Sequence, residues 1–187
     1  MRSRALFYYN NIMKEEYREK YLKIRKNITN KIEQEDIIYS KIINHKIINK
    51  YNTLLIYVST KDEVDTLKII KYYLNSNKKV AVPKIENNKM NFYYIDSLND
   101  LELGYFNILE PKTTNLVTDF TNTVSITPGI CFSKNLHRLG YGRGFYDKFY
   151  SEHNEIYKIG ICYKECYLEK IPYDKYDIKL DEIIISK

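Results

Sequence analysis

The chain has 187 residues, 44% of them hydrophobic, which suffices for one domain with its own core and excludes disorder throughout. No apolar run approaches the roughly 18 residues that a membrane-spanning helix needs. Three Cys are too few and too odd for a disulfide framework, and they fit a reducing, cytoplasmic compartment. The net charge of +6 points toward nucleic acid until it is located. Residues 1–31 hold nine cations against three anions, and the remaining 156 residues balance at 21 of each. A basic arm fits these numbers; a basic face across the domain does not.

Residues 1–12 (MRSRALFYYNNI) carry two Arg and no acid. They lack the Ser and Arg density of a transit peptide and the apolar core of a secretion signal. They are expected to form a disordered extension or a mispredicted start, with translation beginning at Met13 and a single domain over 13–187. Tyr17, Tyr21, Ile24 and Ile28 then recur at helical spacing over 14–28. Lys14, Arg18 and Arg25 share one narrow face beside that stripe. Asn30 and Glu33 have capping-box spacing for a second helix over about 31–50.

The apolar run 53–59 (TLLIYVS) reads as a buried parallel strand, followed by a loop at Thr60–Glu63 and a helix over 64–77. A strand at 79–83 leads into a hairpin over 84–95 with its turn at Asn87-Asn88-Lys89. Residues 104–122 read as mostly irregular. Strands follow at 123–127, 157–163 and 182–186, with a Gly-rich loop at 138–144 and a helix over about 145–153. Strands alternating with helices predict an α/β sheet with helices on both faces.

Three of the six glycines (Gly140, Gly142 and Gly144) and two of the six arginines (Arg138 and Arg143) fall within 138–144. Alternate glycines let the backbone turn tightly and present N–H groups to an anion, and the helix that follows adds its positive end. Arg138 and Arg143 can add bidentate phosphate contacts. Asp147, in the helix's first turn, can hold Mg²⁺ beside phosphates. Gly-x-Gly-x-Gly alone also describes a tight strand-to-helix connection, and it matches neither the Walker loop nor the dinucleotide fingerprint.

The full stretch Thr127–Asp147 (TPGICFSKNLHRLGYGRGFYD) resembles the 5-formyltetrahydrofolate cyclo-ligase family, whose pattern there is P-G-x-x-F-D-x-x-G-x-R-L-G-x-G-x-G-[YF]-Y-D. Lys14-x-x-x-Arg18, Ser59-x-x-x-Glu63-Val-Asp-Thr66, Val82-Pro83, Phe106–Pro111 and Tyr176–Asp181 match in the same order, so the resemblance covers 13–187. It implies a three-layer, Rossmann-like α/β fold, mostly parallel, with a small hairpin insertion. It also implies ATP- and Mg²⁺-dependent closure of 5-formyltetrahydrofolate, with or without a polyglutamate tail, to 5,10-methenyltetrahydrofolate with release of ADP and phosphate.

The roles that the resemblance implies are these. Lys14, Arg18 and Arg138, Leu139, Gly140, Tyr141, Gly142, Arg143, Gly144, Phe145 and Tyr146 would hold ATP, with Arg138, Arg143 and Tyr146 closest to the chemistry. Val58, Glu63 and Tyr141–Phe145 would hold the folate, and Asp147 and Asp181 the Mg²⁺. A monomer acting on a small molecule, with no nucleic acid or membrane partner, is expected. Ser133, Leu136 and Asn107 stand where the family usually has Asp, Gly and Gly. They motivate the first alternative, a diverged relative that binds without catalysing; the second is an RNA-binding module led by the basic helix. The thiols and the three His show no ligand spacing, and His137 reads as a loop residue without a special role.

Overall fold

The computed structural model describes residues 2–104 and 108–187. Five parallel strands and one antiparallel edge strand make the main sheet, in the order β11-β9-β6-β1-β2-β3. In chain order these are β1 (Thr53–Ile56), β2 (Lys79–Glu86), β3 (Lys89–Ile95), β6 (Thr123–Thr127), β9 (Tyr157–Cys162) and β11 (Glu182–Ile185). Their alternation sorts the core. Leu54, Ile56, Val124 and Ile126 face α2 (Lys31–Ile43), α3 (Lys46–Lys50) and α4 (Leu67–Leu74). Leu55 and Ala81 face α5 (Phe145–Glu152) through Phe149 and Tyr150. Helices on both faces of a mostly parallel sheet are the three-layer α/β arrangement that the strand–helix alternation predicts.

Two small sheets complete the fold: β4 (Leu101–Leu103) with β5 (Leu109–Pro111), and β7 (Cys131–Ser133) with β8 (Arg138–Leu139) and β10 (Tyr167–Leu168). The second closes over a separate apolar cluster of Cys131, Phe132, Leu139, Cys162 and Leu180, against which Tyr17 and Ile24 of α1 (Arg2–Lys26) pack.

Several boundaries differ from the periodicity. α1 runs unbroken from Arg2 through the stretch read as a disordered extension or a mispredicted start. The expected helix 31–50 is two: Asn44 ends the first, and His45 caps the second, its Nδ1 accepting from the Ile48 N–H at 3.3 Å. Asn30 precedes α2 without capping it, so the expected capping box does not form; its side chain bonds Gln34 and Glu33 instead. β1 stops at Ile56, leaving Tyr57 to Thr66 to curl past the strand's end before α4 begins at Leu67. The hairpin turn is Asn87-Asn88, both at positive φ (50° and 60°), as a two-residue turn between twisted strands requires. The match at Phe106 and Asn107 lies outside the described residues.

Candidate functional site

Beyond the carboxyl ends of β1 and β6, where open α/β sheets place ligands, lie Glu63 and the segment leading to the Gly loop, whereas Asp181 immediately precedes β11. β1 leads to Glu63, β6 leads through Pro128-Gly129 to the β7–β8 hairpin, and β8 opens directly into the Gly loop. Gly142 (φ 92°) and Gly144 (φ 68°) take the left-handed backbone that a side chain would strain, and Gly144 is the residue from which α5 starts. A Cβ at Gly140 or Gly144 would meet nothing within 4 Å, so these glycines border open space on the side where a ligand can approach.

α1 lays its cationic face against this loop. Arg18 donates from Nε to the Gly140 carbonyl at 2.8 Å and packs beside Gly142, 3.4 Å from where a Cβ would stand. Arg25, buried at 4% exposure, donates to the Gly129 carbonyl at 3.2 Å and to the Tyr141 phenol at 2.7 Å. That phenol donates in turn to Glu63 at 2.7 Å, and the other Glu63 oxygen accepts from the Thr60 N–H and hydroxyl. Burial and the Glu63 charge push the Tyr141 phenol well above its ordinary value, with Arg25 opposing. Arg25 lies outside the matched motifs; its place on the Lys14–Arg18 face was the only sequence signal for it.

Lys14 does not point free into the site. It is 6% exposed and pairs with Asp174 at 2.7 Å and Asp177 at 2.5 Å. Burial opposes its charge, but the two carboxylates outweigh burial and hold its pKa above the ordinary 10.5. The 174–178 segment thus straps α1, and at Ile178 it also meets the Gly-loop end of the domain. The Ile178 carbonyl accepts from Arg138 at 3.4 Å, and its N–H donates to Asp147 at 3.0 Å.

Arg138 and Asp147 are themselves paired, at 3.0 Å, with the guanidinium nearly buried. Asp181 accepts from the Lys158 backbone N–H at 2.7 Å and pairs with its ammonium at 3.1 Å. Both cations lie against the ring of Tyr150, Arg138 at 5.7 Å and Lys158 at 5.9 Å. The described residues gather no cluster of three or more His, Cys, Asp or Glu fit for a metal. In these bonds Asp147 uses Oδ1 and Asp181 uses Oδ2, which leaves each carboxylate one oxygen for a cation. A Mg²⁺ held there would draw its remaining oxygen ligands from phosphates and water, as that ion commonly does.

Arg143 is exposed and makes no ion pair or side-chain hydrogen bond among the described residues. The Tyr146 hydroxyl is buried with no partner, and burial pushes its pKa well up. Phe145 and Leu139 pack into the clusters beneath the loop. Val58 is 5% exposed and belongs to the main core, two residues beyond the end of β1. Leu136 carries the family's glycine geometry without the glycine, at φ 68°. Ser133 is buried and closes the same turn: its N–H donates to the His137 carbonyl at 3.0 Å and its hydroxyl to Asn135 at 2.5 Å. The replaced residues therefore leave the β7–β8 hairpin closed.

The sequence profile described as the 5-formyltetrahydrofolate cyclo-ligase family matches residues 10–186. The 5-formyltetrahydrofolate cyclo-ligase of Mus musculus is 27% identical over 168 residues, covering 82% of this chain and 83% of its own. That of Haemophilus influenzae is 25% identical over 186 residues, 95% of this chain and all of its own. The solved 5,10-methenyltetrahydrofolate synthetase of Aquifex aeolicus superposes with a TM-score of 0.83 at 28% identity, over 94% of this chain and 90% of that one. With a profile spanning nearly every residue and a whole-chain structural match, the chain belongs to the 5-formyltetrahydrofolate cyclo-ligase family of enzymes.

Proposed function

We propose that the chain closes 5-formyltetrahydrofolate to 5,10-methenyltetrahydrofolate at the expense of ATP and with Mg²⁺, through a phosphorylated formyl group. The formyl oxygen attacks the terminal phosphorus of ATP and ADP departs. N10 then attacks the activated formyl carbon and gives up its proton, the C–O bond breaks, and phosphate leaves with that proton. This chemistry asks for position and neutralised charge and needs no protein nucleophile. The observation that best supports the reading is the meeting of the Gly loop, the start of α5 and the cationic face of α1. Arg18 bonds the loop at Gly140, α5 starts from Gly144, open space lies beside both glycines, and Arg143 is exposed in the same loop.

In this reading Arg143 and Arg18 hold the phosphates, and Arg138 orients Asp147. Tyr146 offers its unpartnered hydroxyl toward the reacting groups, and Glu63 accepts from the pterin ring. Lys14 reaches a phosphate by exchanging the strap carboxylates for it. Asp147 and Asp181 would be the carboxylates that hold Mg²⁺, which would neutralise phosphate charge when bound. Cytoplasmic residence and a monomeric state belong to the same proposal.

The test is the absorbance of methenyltetrahydrofolate with purified protein. Product that requires both ATP and a divalent cation is expected; its absence with every metal tried would favour a relative that binds without catalysing. Asp147→Ala should abolish product at ordinary Mg²⁺, and unchanged kinetics would refute the metal assignment. Lys14→Ala should chiefly raise the KM for ATP.

A further inference from the structure

Arg25 is a buried cation that the reaction above does not use. It donates to Gly129 and to the Tyr141 phenol, while its Nε is buried with no partner. A buried donor left unmade costs free energy, so it marks a place where something else can bind. Arg25 and Glu63 both line a cavity of about 10 Å³, room for one water.

The Tyr141 oxygen bridges the two. It accepts from Arg25 at 2.7 Å and donates to Glu63 at 2.7 Å. Tyr141 is also 49% exposed and precedes Gly142 with its left-handed backbone, so the ring has an outward path. Its withdrawal bares a carboxylate and a guanidinium side by side. An apolar group cannot satisfy that pair; an occupant must offer a donor to Glu63 and, next to it, an acceptor to Arg25.

We propose that the Tyr141 hydroxyl stands in for the lactam edge of the substrate's pterin, and that Arg25 is the residue that reads its 4-oxo group. The inference rests on Glu63 as the pterin ligand. In a 2-amino-4-oxo ring the N3–H lies beside the C4 oxygen, which reproduces the donor and acceptor of the phenol. A carboxylate oxygen can accept more than one bond, so Glu63 also has capacity for the 2-amino group. A 2,4-diamino ring presents an N–H where Arg25, which has no acceptor, needs an oxygen. The pair therefore sets specificity by what it refuses as much as by what it binds.

Calorimetric titration of the full chain with 5-formyltetrahydrofolate and with its 4-amino counterpart tests this. The wild type should prefer the 4-oxo ring by about 100-fold or more, as expected where a buried polar group would be left unpaired. Arg25→Met should weaken 4-oxo binding by at least about tenfold and leave 4-amino binding little changed, so that the preference collapses. Arg25→Lys, which keeps a donor and the charge, should keep the preference. A wild type that binds both rings equally overturns the proposal without any variant, as does an Arg25→Met that folds and keeps the wild-type ratio. Loss of folding in Arg25→Met leaves the wild-type ratio and Arg25→Lys to decide. Binding of neither ring, with no product in the absorbance assay, would instead overturn the pterin reading of Glu63 itself.

Discussion

Leu136 holds a backbone conformation that a β-carbon disfavours, at φ 68° between β7 and β8. The turn is fixed around it by the Leu136 N–H to the Ser133 carbonyl and by its own carbonyl to the Leu180 N–H. Leu136→Gly should therefore stabilise the protein by about 0.5–1 kcal/mol, strain relieved outweighing the added freedom of the unfolded chain. The denaturant midpoint measures it, and a lower midpoint would show that the leucine side chain contributes more than its backbone costs. Lys14 makes a pH-dependent contribution of definite sign. Asp174 titrates below its ordinary 3.8, since Lys14 and the Tyr176 N–H outweigh the burial that opposes its charge. That stability is complete above 3.8 and is lost as pH falls through the lowered value. Lys14 titrates above 10.5, so its share is complete below 10.5 and is lost as pH rises through the raised value. Melting temperatures of wild type and Lys14→Met should differ most at neutral pH and converge on both limbs.

Among the elements, β9 and the small sheet are coupled through one glycine. A Cβ at Gly160 would stand 2.5 Å from the Phe132 ring and 2.7 Å from Leu180. Gly160→Ala should cost about 1–3 kcal/mol by overpacking, read as a drop in melting temperature. Because β7 and β8 carry the Gly loop, affinity for ATP should fall with it. Nothing in the sequence marked Gly160, which sits in an apolar run without turn residues. Long, strongly patterned elements were legible: β6 is where its five residues read, and α5 and β9 each lie within one residue of the reading. The β7–β8–β10 sheet was not, because strands of two or three residues carry no period. For the same reason the site was half legible. The Gly loop, Arg18, Glu63 and Asp147 stood out by composition and motif. Asp174 carried no sequence signal, and what Asp177 and the buried Arg25 bind shows only in the fold, from partners more than 100 residues away.

At the scale of the whole molecule, the apolar cluster under the small sheet holds every thiol in the chain. Burial pushes Cys131 up to about 12 and Cys166 to about 11, and Cys162 well above its ordinary value. At neutral pH the thiolate fraction is then on the order of 10⁻⁴ or less, and the thiolate is the reactive form. Native protein should react with a thiol reagent far more slowly than protein unfolded in denaturant, followed by mass spectrometry; equal rates would mean that the cluster opens readily. No helix among the described residues is long and apolar enough to cross a membrane.

The strand order also dictates when the binding groups come into being. β1, α4, β2 and β3 are neighbours in both sequence and space, so residues 53–95 can condense with short loops to close. The bridge from Arg25 through Tyr141 to Glu63 instead joins segments 116 and 78 residues apart. It can form only after β6 and the Gly loop have docked on a sheet already begun. A chain still leaving the ribosome is therefore blind to its small molecules until its last third is in place. Ligand that binds only the finished arrangement then draws the late docking step to completion by mass action.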